Sequence, residues 1–158
     1  MRILLLITLL LAGLHAGFFF AWSFTVMNGL DAAAPEVAIQ AMQAMNANVR
    51  NAPFAVVFFG APLAAAISTG ALLIAGQRRR GLVALLGLAG LAATVGITAG
   101  LHVPWNEALA VAVVPGTDDA AAGLWQDYSD PWTAWNHLRF ATSLAGTAFL
   151  AIAFAMRG

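Results

Sequence analysis

The chain has 158 residues and no net charge, with 61% of its residues hydrophobic and 9% charged. Soluble domains run at about 45–50% apolar and about 25% charged, so lipid must solvate part of this surface. Zero net charge removes the electrostatic case for nucleic acid. The absence of cysteine removes disulfides, thiolate metal sites, iron–sulfur clusters and thiol catalysis.

Four apolar runs follow in chain order, about 3–27, 53–75, 82–103 and 132–156. Each exceeds 20 residues, enough at ~1.5 Å per residue to cross a ~30 Å hydrocarbon core. The first run is too long for a signal peptide, and Leu14-His15-Ala16 is a poor cleavage site. From Pro35 to Arg50, apolar Ile39, Met42, Met45 and Val49 alternate with Gln40, Gln43 and Asn46 at helical spacing, which predicts an amphipathic helix on the outer side. Such a helix lies in the interface or folds over the bundle mouth as a lid. Asn51 precedes Pro53 as an N-cap for the second span. Pro62 predicts a kink near Phe58. The Gly76–Gly81 connection is short, so the second and third spans form a tight hairpin. The third span is built for close approach by Gly87, Gly90, Gly96 and Gly100, and Gly96-xxx-Gly100 matches the small-residue packing motif, for contacts inside the bundle or in a homo-oligomer. Asp118–Tyr128 predicts a second, short outer helix.

The expected fold is thus all-α: an integral membrane four-helix bundle, one domain over 1–158, with two long, partly helical outer-side connections. Arg2, Arg78, Arg79, Arg80 and Arg157 all fall on one side of it, which the positive-inside rule makes the cytoplasm, with both termini there. All seven acidic residues fall on the other side. The expected location is a bacterial plasma membrane. Arg50 and Arg139 break the charge pattern.

Ionisable groups inside membrane spans are costly and mark functional sites. Arg139 lies roughly 10 Å below the outer surface at helical rise. Trp132, Trp135, Asn136 and Arg139 share one stripe of the fourth span, which must face protein or water. Arg139 either braces loop carbonyls and acids such as Glu107 or Asp130, or holds an oxyanion in a pocket. His15 is mid-span, where imidazole serves as a hydrogen-bonding group, a base or a haem or metal ligand. His102 is at the outer mouth, placed as a structural residue or a general base. His137 is off the stripe and interfacial. No H-E-x-x-H spacing is present, so no metal site is assigned. Asn46, Asn106 and Asn136 converge from three segments, to knit the outer loops or to line a pocket.

The run Ala16-Gly17-Phe18-Phe19-Phe20-Ala21-Trp22-Ser23, then Met42-Gln43-Ala44-Met45-Asn46 and Asn51-Ala52-Pro53-Phe54, resembles the start of the anthrone oxygenase-like (DUF1772) family. Val103-Pro104-Trp105-Asn106-Glu107-Ala108-Leu109-Ala110 is similar to its V-P-x-N-x-x-L-A signature. Trp125, followed by Trp132-Thr133-Ala134-Trp135-Asn136-His137-Leu138-Arg139, is similar to its W…W-x-x-W-N-x-x-R signature. The resemblance implies a small four-helix membrane protein oxidising a lipophilic aromatic or polyketide anthrone with O2 and no cofactor. On that reading His102 or Glu107 is the base and Arg139 the oxyanion donor. Asn46, Asn106, Trp132, Trp135 and Asn136 bind the substrate. The expected partners are the bilayer and a hydrophobic aromatic small molecule. Two other classes compete: a haem or metal protein using His15 with His102 or His137, and a non-catalytic binding or assembly module.

Overall fold

The computed structural model describes residues 1–156 as an all-helical membrane bundle; Arg157, counted above among the cytoplasmic cations, lies outside the described residues. Five helices account for it. Four are long and apolar enough to cross a membrane: α1 (Arg2–Asp31), α3 (Ala52–Ile74), α4 (Arg78–Val111) and α5 (Asp118–Ala155). The fifth, α2 (Pro35–Asn48), joins α1 to α3.

Local sequence sets the helix ends. Pro35 and Pro53 sit in first turns, where a missing N–H costs nothing. The Asn51 side chain accepts the Phe54 N–H at 3.0 Å, the expected cap. α3 ends in a Schellman turn: Gly76 takes φ +73°, Gln77 N–H bonds Leu72 O, and Gly76 N–H bonds Leu73 O. α3 continues as helix through Pro62.

One expectation changes. The outer helix predicted over Asp118–Tyr128 is not separate; it is the first part of α5, which runs unbroken through Pro131 for 38 residues. Pro131 frees only the Asp127 carbonyl four residues back, and Asp127 is exposed, so water can satisfy it. α5 is therefore about 57 Å long, nearly twice a hydrocarbon core. Its first turns stand at the end of the bundle opposite the α3–α4 hairpin.

The spans form a ring: α1 packs on α3 and α5, and α4 packs on α3 and α5. Buried residues of α5 step by four and three alternately: Trp132, Asn136, Arg139, Ser143, Gly146, Leu150, Ala153. A 3.5-residue repeat of this kind gives left-handed, near-antiparallel packing. Backbones approach closest between α4 and α5. A Cβ built on Gly90 would lie 2.6 Å from Thr142 O, and one on Gly146 would lie 2.8 Å from Gly87 O. Gly96 and Gly100 make no close contact inside the bundle; both residues are exposed, and a Cβ on either meets nothing within 4 Å in the chain. Hydroxyl pairs supplement this packing, Thr8 with Ser68 and Thr94 with Thr142, each at 2.8 Å. At the hairpin end Arg80 is buried, and its Nε–H donates to Ala153 O at 3.0 Å, satisfying a carbonyl at the end of α5.

Two apolar cores result. Leu5, Leu72, Ala84 and Ala153 share the first, so the start of α1, the hairpin and the end of α5 lie at one end of the bundle. Ile39 and Met42 of α2 pack with Leu109, Trp125 and Tyr128 in the second. α2 therefore lies across the bundle mouth against α4 and α5. Gln43 fastens it, its Nε2 donating to Leu109 O at 2.8 Å and Ala112 O at 3.0 Å.

Candidate functional site

Between the two cores lies a cavity of about 540 Å³, within the size range of small-molecule sites. Phe18, Phe19, Trp22, Phe54, Phe58 and Trp132 supply aromatic walls. Asn46, Thr98, Asn106 and Arg139 are among its polar lining.

Arg139 is 5% exposed. Its guanidinium carbon lies 4.8 Å from the Phe19 ring centroid and 4.9 Å from that of Trp132, a double cation–π contact. One terminal nitrogen donates to Asn136 Oδ1 at 2.7 Å and the other to Thr98 Oγ1 at 3.3 Å, while Nε has no partner. No carboxylate pairs with it among the described residues: the ion pair found there is Arg50 with Glu107, at 3.2 Å on the surface. The bracing of Arg139 by Glu107 or Asp130, one of the two sequence readings, therefore does not form. A buried cation without a counter-charge is costly unless something else offsets it.

Asn136 stands behind the arginine rather than in the lining. Its amide nitrogen donates to Phe19 O at 3.1 Å and Ser23 Oγ at 2.7 Å, which leaves its oxygen for Arg139. It is a positioning residue. A second network runs along the outer wall. Asn106 Oδ1 accepts from Trp132 Nε1 at 2.9 Å and from Tyr128 OH at 2.8 Å, and Tyr128 OH accepts from Asn46 Nδ2 at 3.3 Å.

Two helical irregularities build these contacts. α1 contains a π-turn over Trp22–Val26, where Met27 N–H bonds Trp22 O; α4 contains one over Thr98–His102, where Val103 N–H bonds Thr98 O. His15, Phe19, Ser23 and Met27 are spaced by four, as are Thr94, Thr98, His102 and Asn106. In a regular helix three such steps rotate by about 120° and leave the interface. A wider turn cancels much of that drift. Both π-turns place a residue against the central cluster, Ser23 on Asn136 and Thr98 on Arg139.

Other sequence candidates fall elsewhere. His102 is buried outside the lining: its Nε2 donates to Trp132 O at 3.2 Å, and its ring stands edge-on to Trp132 and Trp105. It sits behind the wall against Trp132 and is not part of the lining. Glu107 is at the surface with Arg50, which also explains the arginine on the acidic side. Trp135 is 41% exposed and lies outside the lining of the cavity. His15 lies beside the cavity, stacked on Phe58 and edge-on to Phe19, with Nδ1 2.7 Å from Ser143 Oγ. His137 stacks on Phe24 at the surface. No three His, Asp or Glu side chains among the described residues are grouped to hold a metal ion. Tyr128 and Ser23 were not among the sequence candidates. The unbroken four-residue spacing through Phe19, Ser23 and Met27 was the available signal.

The family model described as anthrone oxygenase matches residues 54–149, which include Asn106, Tyr128, Trp132, Asn136 and Arg139. Comparison with curated proteins and with solved structures gives no match.

Proposed function

The chain belongs to the anthrone oxygenase family, and from that premise we propose that its cavity binds a lipophilic anthrone-type aromatic and promotes its oxidation by O2 without a cofactor. The observation that carries this reading is Arg139: a buried cation at an aromatic cavity, with no carboxylate partner among the described residues. An ionised substrate is the counter-charge that such a site lacks.

An anthrone carries an acidic C–H flanked by two aromatic rings. Its conjugate base places the negative charge largely on oxygen. The cation stabilises that oxyanion in a low-dielectric site, where the interaction is worth more than in water. Asn136 and Thr98 hold the guanidinium in place beforehand. With neither His102 nor Glu107 in the lining, the proton passes to water at the outer mouth. Arg139 drives the ionisation, with no side-chain base assigned. The anthrolate then passes one electron to O2, and the carbon radical and superoxide combine to a hydroperoxide after taking a proton from water. Loss of the second C–H proton with O–O cleavage releases water and leaves the quinone. Overall, anthrone and O2 give anthraquinone and water, and atoms and electrons balance. The aromatic walls stack on the rings and exclude competing water.

The test is oxygen-dependent quinone formation by the purified protein in detergent, followed by absorbance. Wild type is expected to exceed the buffer rate. Arg139→Gln is expected to lose about 100-fold or more, the scale for removing an oxyanion donor. Quinone formation at the buffer rate in the wild type would overturn the reading.

A further inference from the structure

The outer wall of the cavity has a hydrogen-bond polarity that the chemistry of its members fixes. Indole N–H is only a donor, so the Asn106 atom that meets Trp132 Nε1 at 2.9 Å must be the amide oxygen. Tyr128 also contacts that oxygen, at 2.8 Å, so its hydroxyl must donate its one proton there. The phenol oxygen is left only as an acceptor, and Asn46 must approach it with its amide N–H₂, at 3.3 Å. The chain therefore leaves two groups unspent on residues that line the cavity: the N–H₂ of Asn106 and the carbonyl oxygen of Asn46. Both amides bond the one phenol oxygen, so the two residues sit on the same stretch of the wall.

We propose that Asn46 and Asn106 form a hydroxyl-reading subsite, taking one neutral hydroxyl on the outer ring of the aromatic ligand, with Tyr128 as the residue that sets their polarity. This rests on the reading of the cavity as a site for an ionisable aromatic and names a structural feature of its substrate. A hydroxyl both donates to Asn46 and accepts from Asn106. A methyl ether can only accept, so it leaves the Asn46 oxygen unpaired. A second anion is disfavoured by that same oxygen. Arg139 and Asn106 contact the same indole, the first over its face and the second at its N–H. The bound molecule thus carries its oxyanion and its hydroxyl at separate points, spaced by about the extent of that indole.

The experiment separates recognition from turnover by working under nitrogen. Purified protein in detergent is titrated with unsubstituted anthrone, with each anthrone bearing one outer-ring hydroxyl, and with the matching methyl ethers. Quenching of tryptophan fluorescence reports binding, since Trp22 and Trp132 line the cavity. One hydroxyl isomer is expected to bind about tenfold tighter than its methyl ether, the scale of one well-placed hydrogen bond. Asn106→Leu is expected to bring that ratio close to one. Tyr128→Phe, which leaves the lining residues in place, is expected to reduce it while unsubstituted anthrone binds within about twofold of wild type. A wild-type ratio near one for every isomer, with the parent still bound, would overturn the subsite alone. So would an unchanged ratio in both variants. Failure of wild type to bind the parent anthrone would overturn the functional reading beneath it.

Discussion

Arg139 holds the site together because of what surrounds it. Two aromatic faces, one amide oxygen and one hydroxyl contact a guanidinium that is 5% exposed. Lysine would keep the charge but lose the planar fork that reaches Asn136 and Thr98 together and lies flat on the rings. Arg139→Lys is therefore expected to lower both thermal stability in detergent and retention of an aromatic ligand; no change in either would show that the fork is unimportant. Glu107 makes the opposite case. It lies outside the lining, and its exposed pair with Arg50 is worth about 0–1 kcal/mol. Glu107→Gln is expected to leave quinone formation within about twofold of wild type. A loss of 100-fold would restore Glu107 as the base.

The residues of the site were partly legible in the sequence, and each misplacement has a physical reason. Asn46, Asn106, Trp132 and Arg139 were expected together and do line one cavity. Trp135 lies about 60° from Trp132 on a helical wheel, but about 100° from Asn136, which puts it past the edge of the buried stripe. Glu107 directly follows Asn106 and so points about 100° away from it. Asn136 was read as a ligand contact because a wheel gives a face and not a depth. Its amide is consumed by Phe19 and Ser23 of α1, a contact between residues far apart in sequence.

Among the elements, the four spans were legible from apolar length alone. The π-turns were not, since they preserve hydropathy and change only the rotation per residue. The continuity of α5 was hidden by Pro131, because a proline reads as a helix start when the solvation of the freed carbonyl is unknown. Of the four glycines read as close-approach positions in α4, Gly87 and Gly90 pack as expected and Gly96 and Gly100 do not, because small-residue spacing occurs on more than one face of the helix. Only coordinates distinguish Gly87 and Gly90, facing Gly146, from Gly96 and Gly100, facing outward. Replacement by leucine separates the two sets. Gly90→Leu drives a side chain into the Thr142 carbonyl and is expected to cost at least ~2 kcal/mol or prevent folding. Gly96→Leu meets no protein and is expected to stay within ~0.5 kcal/mol of wild type. Thermal unfolding in one detergent measures both. Equal destabilisation would refute the assigned α4–α5 interface.

For the whole molecule, the division of labour follows the axis of the bundle. One end holds the first apolar core and is closed by the short hairpin, with Arg80 bonded to α5. The other carries the long helix extensions and the α2 lid, with the cavity beneath. Arg2, Arg78 and Arg79 at the closed end predict that this end is cytoplasmic, with both termini there. Reporter fusions at the two termini are expected to report the cytoplasm in both cases, and opposite sides would contradict the four-span count. In that orientation the cavity sits in the outer half of the membrane, where a lipophilic aromatic can partition and O2 is abundant in the lipid.

The account turns on what offsets the charge of Arg139. An experimental structure of the protein with unsubstituted anthrone bound under nitrogen tests this most directly. The predicted result is the anthrone oxygen within hydrogen-bond distance of the Arg139 guanidinium, about 2.7–3.2 Å, with the rings among Phe19, Phe58 and Trp132. Anthrone bound elsewhere on the protein, or bound in the cavity with its oxygen turned away from Arg139, would contradict it.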